Sequence, residues 1–296
     1  MGRLTGTLRA TPSAVFGSTA ARLAEMERAD HAIRILLALS HRIAFVQLAG
    51  GSGTSAVAAY IAGLLAHRRT GPILGVNASG GDRTLLWYAG VRGDASETTD
   101  DSSAEDDGRR LRPAHFADAS AGLLRAASGL YLFDVRRSTI GIAATETDWA
   151  TPVAPITRFY DVVCTDWGVR RPELDLGGVA AGSHAVCLVA RADRSSLEEA
   201  VAAATALTAL PSAPHVVVAA VDIGNTAGRA PQVVRWDAGT RILRIPYDAA
   251  RSAAEPVASS SLSTRSRLAH TMLAAELMTQ ADRTGTLRST AERARA

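Results

Sequence analysis

Between Leu48 and Ala56, three glycines (Gly50, Gly51 and Gly53) alternate with small hydroxyl residues (Ser52, Thr54 and Ser55). An apolar run precedes them and an Ala- and Leu-rich segment follows. Glycines at this spacing let backbone N–H groups turn inward and approach an anion with no side chain in the way. A helix beginning directly afterwards aims the positive end of its dipole at the same point. The chemistry of such a strand, turn and helix is phosphate binding. In the usual form of the loop, a lysine follows the last glycine to hold the outer phosphates, and a Ser or Thr then binds magnesium. Here Thr54 takes the lysine position and Ser55 the hydroxyl position. A tight strand-to-helix turn without a ligand is the plain alternative.

The elements that must position this loop alternate along the chain. Strands are expected at Ile43 to Leu48, Ile73 to Asn77, Leu130 to Val135, Asp161 to Asp166, Ala185 to Ala190, His215 to Val221 and Arg241 to Pro246, all continuous apolar runs. Helices are expected over Ala20 to Leu39, with Leu23, Met26, Ile33 and Leu37 on one face, and over Ser55 to Arg69. Another helix should open at "SSLE", where Ser195 and Glu198 have capping-box spacing. A last one, Arg265 to Gln280, should bury Leu268, Met272, Leu273 and Leu277. Unbroken apolar strands separated by amphipathic helices predict an α/β three-layer sandwich with a mostly parallel central sheet. Such sheets bind ligands beyond the carboxyl ends of their strands, and the glycine loop starts at the first of those ends.

One domain over 19–281 is expected, with flexible segments at 1–18 and 282–296. The stretch 92–112 is acidic and has almost no apolar side chain to offset its ordering entropy, so it reads as a disordered insert, with an acidic docking site as the alternative. Hydrophobic residues make up 47% and aromatics only 5%, which suits helices packed on a parallel sheet. No lysine occurs, so all 32 basic residues are arginine. Compositional bias or selection against lysine-directed tagging would each produce this. The net charge of +3, spread along the chain, is too weak a bias to imply nucleic-acid binding, and no nucleic-acid partner is expected. Cys164 and Cys187 lie inside apolar runs as inert core thiols, and the seven histidines lack metal-ligand spacing. There is no secretory leader pattern, and a cytoplasmic protein is expected. Beyond Met278 the tail carries one large apolar residue, Leu287, too little for membrane insertion.

At the glycine loop the chain resembles the MinD/ParA family of deviant-Walker ATPases, whose loop reads Lys-Gly-Gly-x-Gly-Lys-Thr. Against "AGGSGTS", Ala49 stands where the family has its signature lysine and Thr54 where it has the Walker lysine. The resemblance covers roughly Arg42 to Gln280. "GVNASGGDRTLL" is similar to the family's switch segment and places Asn77 and Ser79 near the magnesium and attacking water. "FYDVVCTDWG" is similar to the Walker B strand, which would make Asp166 a magnesium carboxylate. A strand-end carboxylate capping a loop amide is the alternative for that residue. "RILRIPYDAARSAA" is similar to the turn bordering adenine, implicating Pro246, Tyr247 and Asp248, while the usual adenine-reading asparagine is replaced around Ala220. The version most like this sequence is the MinD-like protein of actinobacterial type VII secretion, which has similar "V-P-x-D" and terminal stretches.

The resemblance implies a nucleotide site of Gly50, Gly51, Ser52, Gly53, Thr54, Ser55, Ala56, Pro246, Tyr247 and Asp248, taking ATP or ADP with magnesium on Ser55 and Asp166, or none at all. One charge-assisted contact contributes about 1.5 to 3 kcal/mol, so losing the lysine weakens phosphate binding roughly ten- to a hundred-fold. Hydrolysis suffers more, because phosphoryl transfer relies on cations placed where charge develops. The leading expectation is a pseudo-ATPase acting as a regulatory or binding subunit for a secretion or localisation machinery. An active ATPase, in which a homodimer lends an arginine, is the second, with Arg42 and Arg83 as candidate cations within the chain. A partition-type nonspecific DNA binder is the third.

Overall fold

The computed structural model of the 296-residue chain describes residues 19–91, 109–136, 141–210, 214–225, 240–252 and 255–295. Its strands are β1 (His41–Gln47), β2 (Ile73–Asn77), β3 (Leu124–Arg125), β4 (Tyr131–Asp134), β5 (Val162–Val169), β6 (Ala185–Arg191), β7 (His215–Val221) and β8 (Arg241–Ile245). Its helices are α1 (Thr19–Arg34), α2 (Thr54–Arg68), α3 (Leu85–Tyr88), α4 (Phe116–Ala119), α5 (Glu146–Val153), α6 (Leu176–Ala181), α7 (Arg194–Thr208) and α8 (Thr264–Arg295). The strands form one sheet in the order β3-β4-β2-β5-β1-β6-β7-β8, parallel except for the β3–β4 pair.

Side chains alternate across a strand, so each strand feeds two cores. Ile43 and Phe45 of β1 face a core shared with α1, α2 and α8, where Ile33, Ile61 and Leu277 are fully enclosed. Ala44 and Val46 face the other, closed by Val153, Val179 and Ala204 of α5, α6 and α7. Burial on both faces is why the strands read as unbroken apolar runs rather than as alternating ones. Cys164 and Cys187 are both free and buried. Burial pushes Cys164 up to about 12 and Cys187 upward as well, which keeps them as thiols.

β2 and β7 occupy the residues expected, and β3 is a two-residue strand with no counterpart in the sequence reading. The first helix ends at Arg34, not Leu39. Leu23 and Met26 are 58% and 45% exposed because only the second half of α1, through Ala29 and Ile33, reaches the core. The "SSLE" box does not form. α7 starts two residues earlier than that box would set it, capped by Asp193, which accepts from the Ser196 N–H at 2.9 Å, while Glu198 pairs with Arg194 at 2.7 Å. A carboxylate beside a serine is an equally good cap and adds charge at the positive helix end. α8 buries Leu273 and Leu277 but leaves Leu268 37% exposed, and it continues past Gln280 to Arg295. Residues 1–18 and 92–108 lie outside the described residues. At the end of the acidic stretch, Arg110 is buried, donates to the Ala121 carbonyl and stacks over Phe133. No helix among the described residues is long and apolar enough to cross a membrane.

The amino edge of the sheet is tied by Arg69, which follows α2. Its side chain, 4% exposed, donates to the carbonyls of Ile33 and Ile35 at 2.6 and 3.0 Å and to Asp161 at 2.9 Å. One guanidinium thus satisfies the end of α1 and the entry to β5 together. Arg69→Ala should cost about 2 to 3 kcal/mol, because two carbonyls lose their donor at once; urea unfolding measures it.

Candidate functional site

The carboxyl ends of β1, β2, β4, β5 and β6 lie along one edge, and that edge carries the polar residues. β1 and β6 are neighbours, and the chain crosses from β1 to β2 on one side and from β6 to β7 on the other, so the connections diverge at this edge. The crevice at such a divergence is where ligands of α/β sheets sit. The glycine loop fills it. Gly51 and Gly53 have φ of +80° and +88°, values a residue with a Cβ rarely adopts, and Gly53 begins α2 with no side-chain cap. The first amides of α2 therefore face the loop without a capping side chain.

The seat inside the loop is filled from within. Gln47, the last residue of β1, turns its side-chain carbonyl Oε1 onto the Ser52 N–H at 3.3 Å, the Ser52 hydroxyl at 2.5 Å and the Thr54 hydroxyl at 2.9 Å. Ser52 and Thr54 are both 2% exposed and lie 3.1 Å apart through their hydroxyls. Gln47 presents its oxygen because a backbone N–H can face only an acceptor. The amide does for these donors what a phosphate oxygen would do. Across the crevice, Arg191 at the end of β6 donates to the Gly50 carbonyl at 3.0 Å. Its guanidinium lies 2.7 Å from where a Cβ on Gly51 would be. A small cavity of about 150 Å³ lies between this loop and the β6–α7 turn, lined by Gly50, Ser52, Arg191 and Ser196. Ala49, at the loop entrance, borders the same cavity, and Ala56 is buried in α2.

Beside the loop, register places Asp166 next to Asn77 of β2 and Phe45 of β1, while Asn77 pairs with Asp134 of β4. β1 and β5 change register here, skipping Trp167. Asp166 is fully buried. Its Oδ1 accepts the Gly168 N–H at 3.0 Å, and its Oδ2 has no hydrogen-bond partner. Burial raises its pKa against the pull of the Ser55 hydroxyl, the Gly168 amide, the Ser79 hydroxyl and the Arg170 charge. Asn77 is closed off: it donates to Asp134 at 3.1 Å and accepts from Ser79 at 2.8 Å, while Arg136 clamps Asp134 at 2.7 Å.

The β8 turn reaches the same edge. Pro246 and Tyr247 are half-buried there, and the strand-end residue beside them is Asp222, whose N–H donates to Ile245. Ala220 instead lies within β7, paired with Arg244. Asp248 turns inward to the start of α8, accepting from Ser263 N–H and hydroxyl at 2.9 and 2.8 Å and from Ala250 N–H at 3.1 Å. Neither arginine singled out from sequence reaches the loop seat in the contacts formed: Arg42 lies at the amino end of β1, bonded to Gly182, and Arg83 stacks on Trp87. Sequence reasoning missed Gln47 and Arg191. The only signal for either was a polar residue closing an apolar strand.

No protein-family model and no curated protein matches this sequence. Solved structures do. A ParA family ATPase from Chlorobium tepidum TLS is similar over 80% of this chain and 98% of its own, with a TM-score of 0.56 and 19% identity. The cell division ATPase MinD of Pyrococcus furiosus is similar over 80% and 97%, with a TM-score of 0.52 and 17% identity. The chain has the MinD/ParA fold. The septum site-determining protein MinD of Pyrococcus horikoshii OT3, solved with Mg-ADP, is similar over 80% and 95% at a TM-score of 0.50 and 15% identity.

Asp248 yields a pH prediction. Burial alone would raise its pKa, but the Ser266 and Ser263 hydroxyls and two backbone amides outweigh that and hold it at about 2. A folded-state pKa below the unfolded value near 3.9 stabilises the protein above that value, and the gain disappears as pH falls toward 2. Asp248→Asn should cost about 2 kcal/mol at pH 7 and almost nothing near pH 2, as read from unfolding at the two pH values.

Proposed function

We propose that this chain is a MinD/ParA-type pseudo-ATPase: a nucleotide-binding domain that has lost hydrolysis and acts as a regulatory or binding subunit. The observation that carries this reading is the inward Gln47 amide, which takes up the Ser52 N–H and the Ser52 and Thr54 hydroxyls, in a seat that has Thr54 in place of a cation. Binding then requires Gln47 to be displaced, and in the absence of the lysine the seat attracts phosphate through backbone amides, hydroxyls and the helix dipole. That supports weak, reversible occupancy.

Magnesium fits the residues present, because a buried carboxylate oxygen without a partner, on Asp166, is the kind of ligand a hard cation takes. Ser55 and Asp166 would hold it, and it would neutralise phosphate charge. Ser55 supplies a hydroxyl, and the Gly168 amide keeps Asp166 oriented. At the switch position, Asn77 is bound on both sides to Asp134 and Ser79, so its amide is committed to those partners and not to a water. Pro246 and Tyr247 would border the base, with Asp248 bracing them from behind. A protein partner in secretion or polar localisation follows from the family resemblance read in the sequence, as does a homodimer.

A second reading is an active ATPase, and Arg191 favours it: a cation from the same chain already touches the loop rim. The two readings differ in turnover. Titration calorimetry with Mg-ATP, Mg-ADP and pyrophosphate on wild type, Gln47→Ala and Thr54→Lys separates binding from chemistry. The expected outcome is weak wild-type binding, tightened roughly tenfold in Gln47→Ala and roughly ten- to a hundred-fold in Thr54→Lys, with no turnover in the wild type. ATP hydrolysis that disappears in Arg191→Ala and Asp166→Ala would falsify the pseudo-ATPase reading in favour of the second.

A further inference from the structure

A second cavity, of about 740 Å³, opens between α2, α3, α8 and the stretch 256–262. None of the glycine-loop residues lines it. Its volume lies within the range of about 300 to 1,000 Å³ typical of small-molecule sites. Tyr60, Leu64, Tyr88 and Leu262 give it an apolar wall, and Tyr60 meets the His270 ring edge-on at 5.4 Å.

Two polar features of this cavity are incompletely satisfied among the described residues. The first is His270, which is 2% exposed. Its Nδ1 lies 2.7 Å from the Ser266 carbonyl, and a carbonyl only accepts, so Nδ1 carries the hydrogen and Nε2 is left as an acceptor. Among the described residues nothing donates to that Nε2. Burial, with the Arg251 charge adding to it and the Ser266 carbonyl opposing, holds this imidazole neutral with a pKa of about 4. Leaving a buried acceptor unsatisfied destabilises the folded chain, and a donor on a ligand removes that cost. The second is charge. Arg68, His67 and Arg267 line the cavity, and no Asp or Glu does. Arg68 is offset by Asp30 at 3.0 Å, but Arg267 bonds only the Thr264 hydroxyl, at 3.2 Å, among the described contacts. Arg267 and His270 are three residues apart on α8, so they present to the same face.

We propose that this cavity binds an amphipathic organic anion: a compact aromatic body against the tyrosine wall, an acidic group on Arg267, and an N–H or O–H that donates to His270 Nε2. The proposal stands independently of nucleotide binding.

The probe is 8-anilino-1-naphthalenesulfonate, followed by fluorescence on the folded full chain, with 2-naphthoate and 6-hydroxy-2-naphthoate as competitors. One saturable site per chain is expected, unaffected by pyrophosphate. Arg267→Glu, at an exposed position, should weaken it at least tenfold without altering the melting curve. The hydroxylated competitor should displace the probe several-fold better than its parent in wild type, and equally well in His270→Phe. Unsaturable binding, displacement by pyrophosphate, or an affinity unchanged in Arg267→Glu would overturn the site. A hydroxyl preference that survives in His270→Phe would overturn the role of the imidazole.

Discussion

A turn whose backbone amides point inward needs acceptors for them, and at Ser52 this chain provides one of its own. In a loop built for phosphate, the acceptor comes from outside. Here Gln47 reaches back from the end of β1 and supplies it, with the Ser52 and Thr54 hydroxyls closing on the same oxygen. The choice of residues is coherent. Thr54 is 2% exposed, and in an internally satisfied seat a hydroxyl fits where a lysine would bring an unpaired buried charge. Glycines at 51 and 53 remain necessary because the turn itself persists whether its acceptor is a phosphate or an amide.

The surrounding polar residues follow the same economy of partners. Asn77, Asp134 and Arg136 satisfy one another in a chain across the ends of β2 and β4. Arg191 closes the other side against a loop carbonyl. Asp166 is the exception, a buried carboxylate with one oxygen uncommitted and a raised pKa. Such a group costs stability, and stability is commonly sacrificed where a ligand is to be held.

Much of this fold was legible in the sequence. Apolar runs bounded by turn residues marked β2 and β7 residue for residue, because strands covered on both faces leave no room for polar positions. The glycine spacing located the loop, and the aspartate closing "DVVCTD" came to lie beside it. What failed was whatever depends on a partner distant in sequence. Arg191 lies 141 residues from the carbonyl it touches, and nothing local to either residue encodes that meeting. Leu23 and Met26 have helical spacing, but periodicity shows only that a face exists, not that anything covers it. At "ADRSSLEEA", Asp193 and Ser195 are rival caps two residues apart, and the carboxylate won. Gln47 was overlooked because a polar residue at a strand end usually meets water.

Asp248 joins two parts of the molecule that the sequence keeps apart. Its carboxylate leaves the β8 turn on one side and grips Ser263, fifteen residues later, on the other. That grip lies immediately before α8, which carries Arg267 and His270 along its first two turns. The β8 turn and the start of α8 are therefore held together through one carboxylate, so the segment between them is closed into a loop whose two ends share a single anchor.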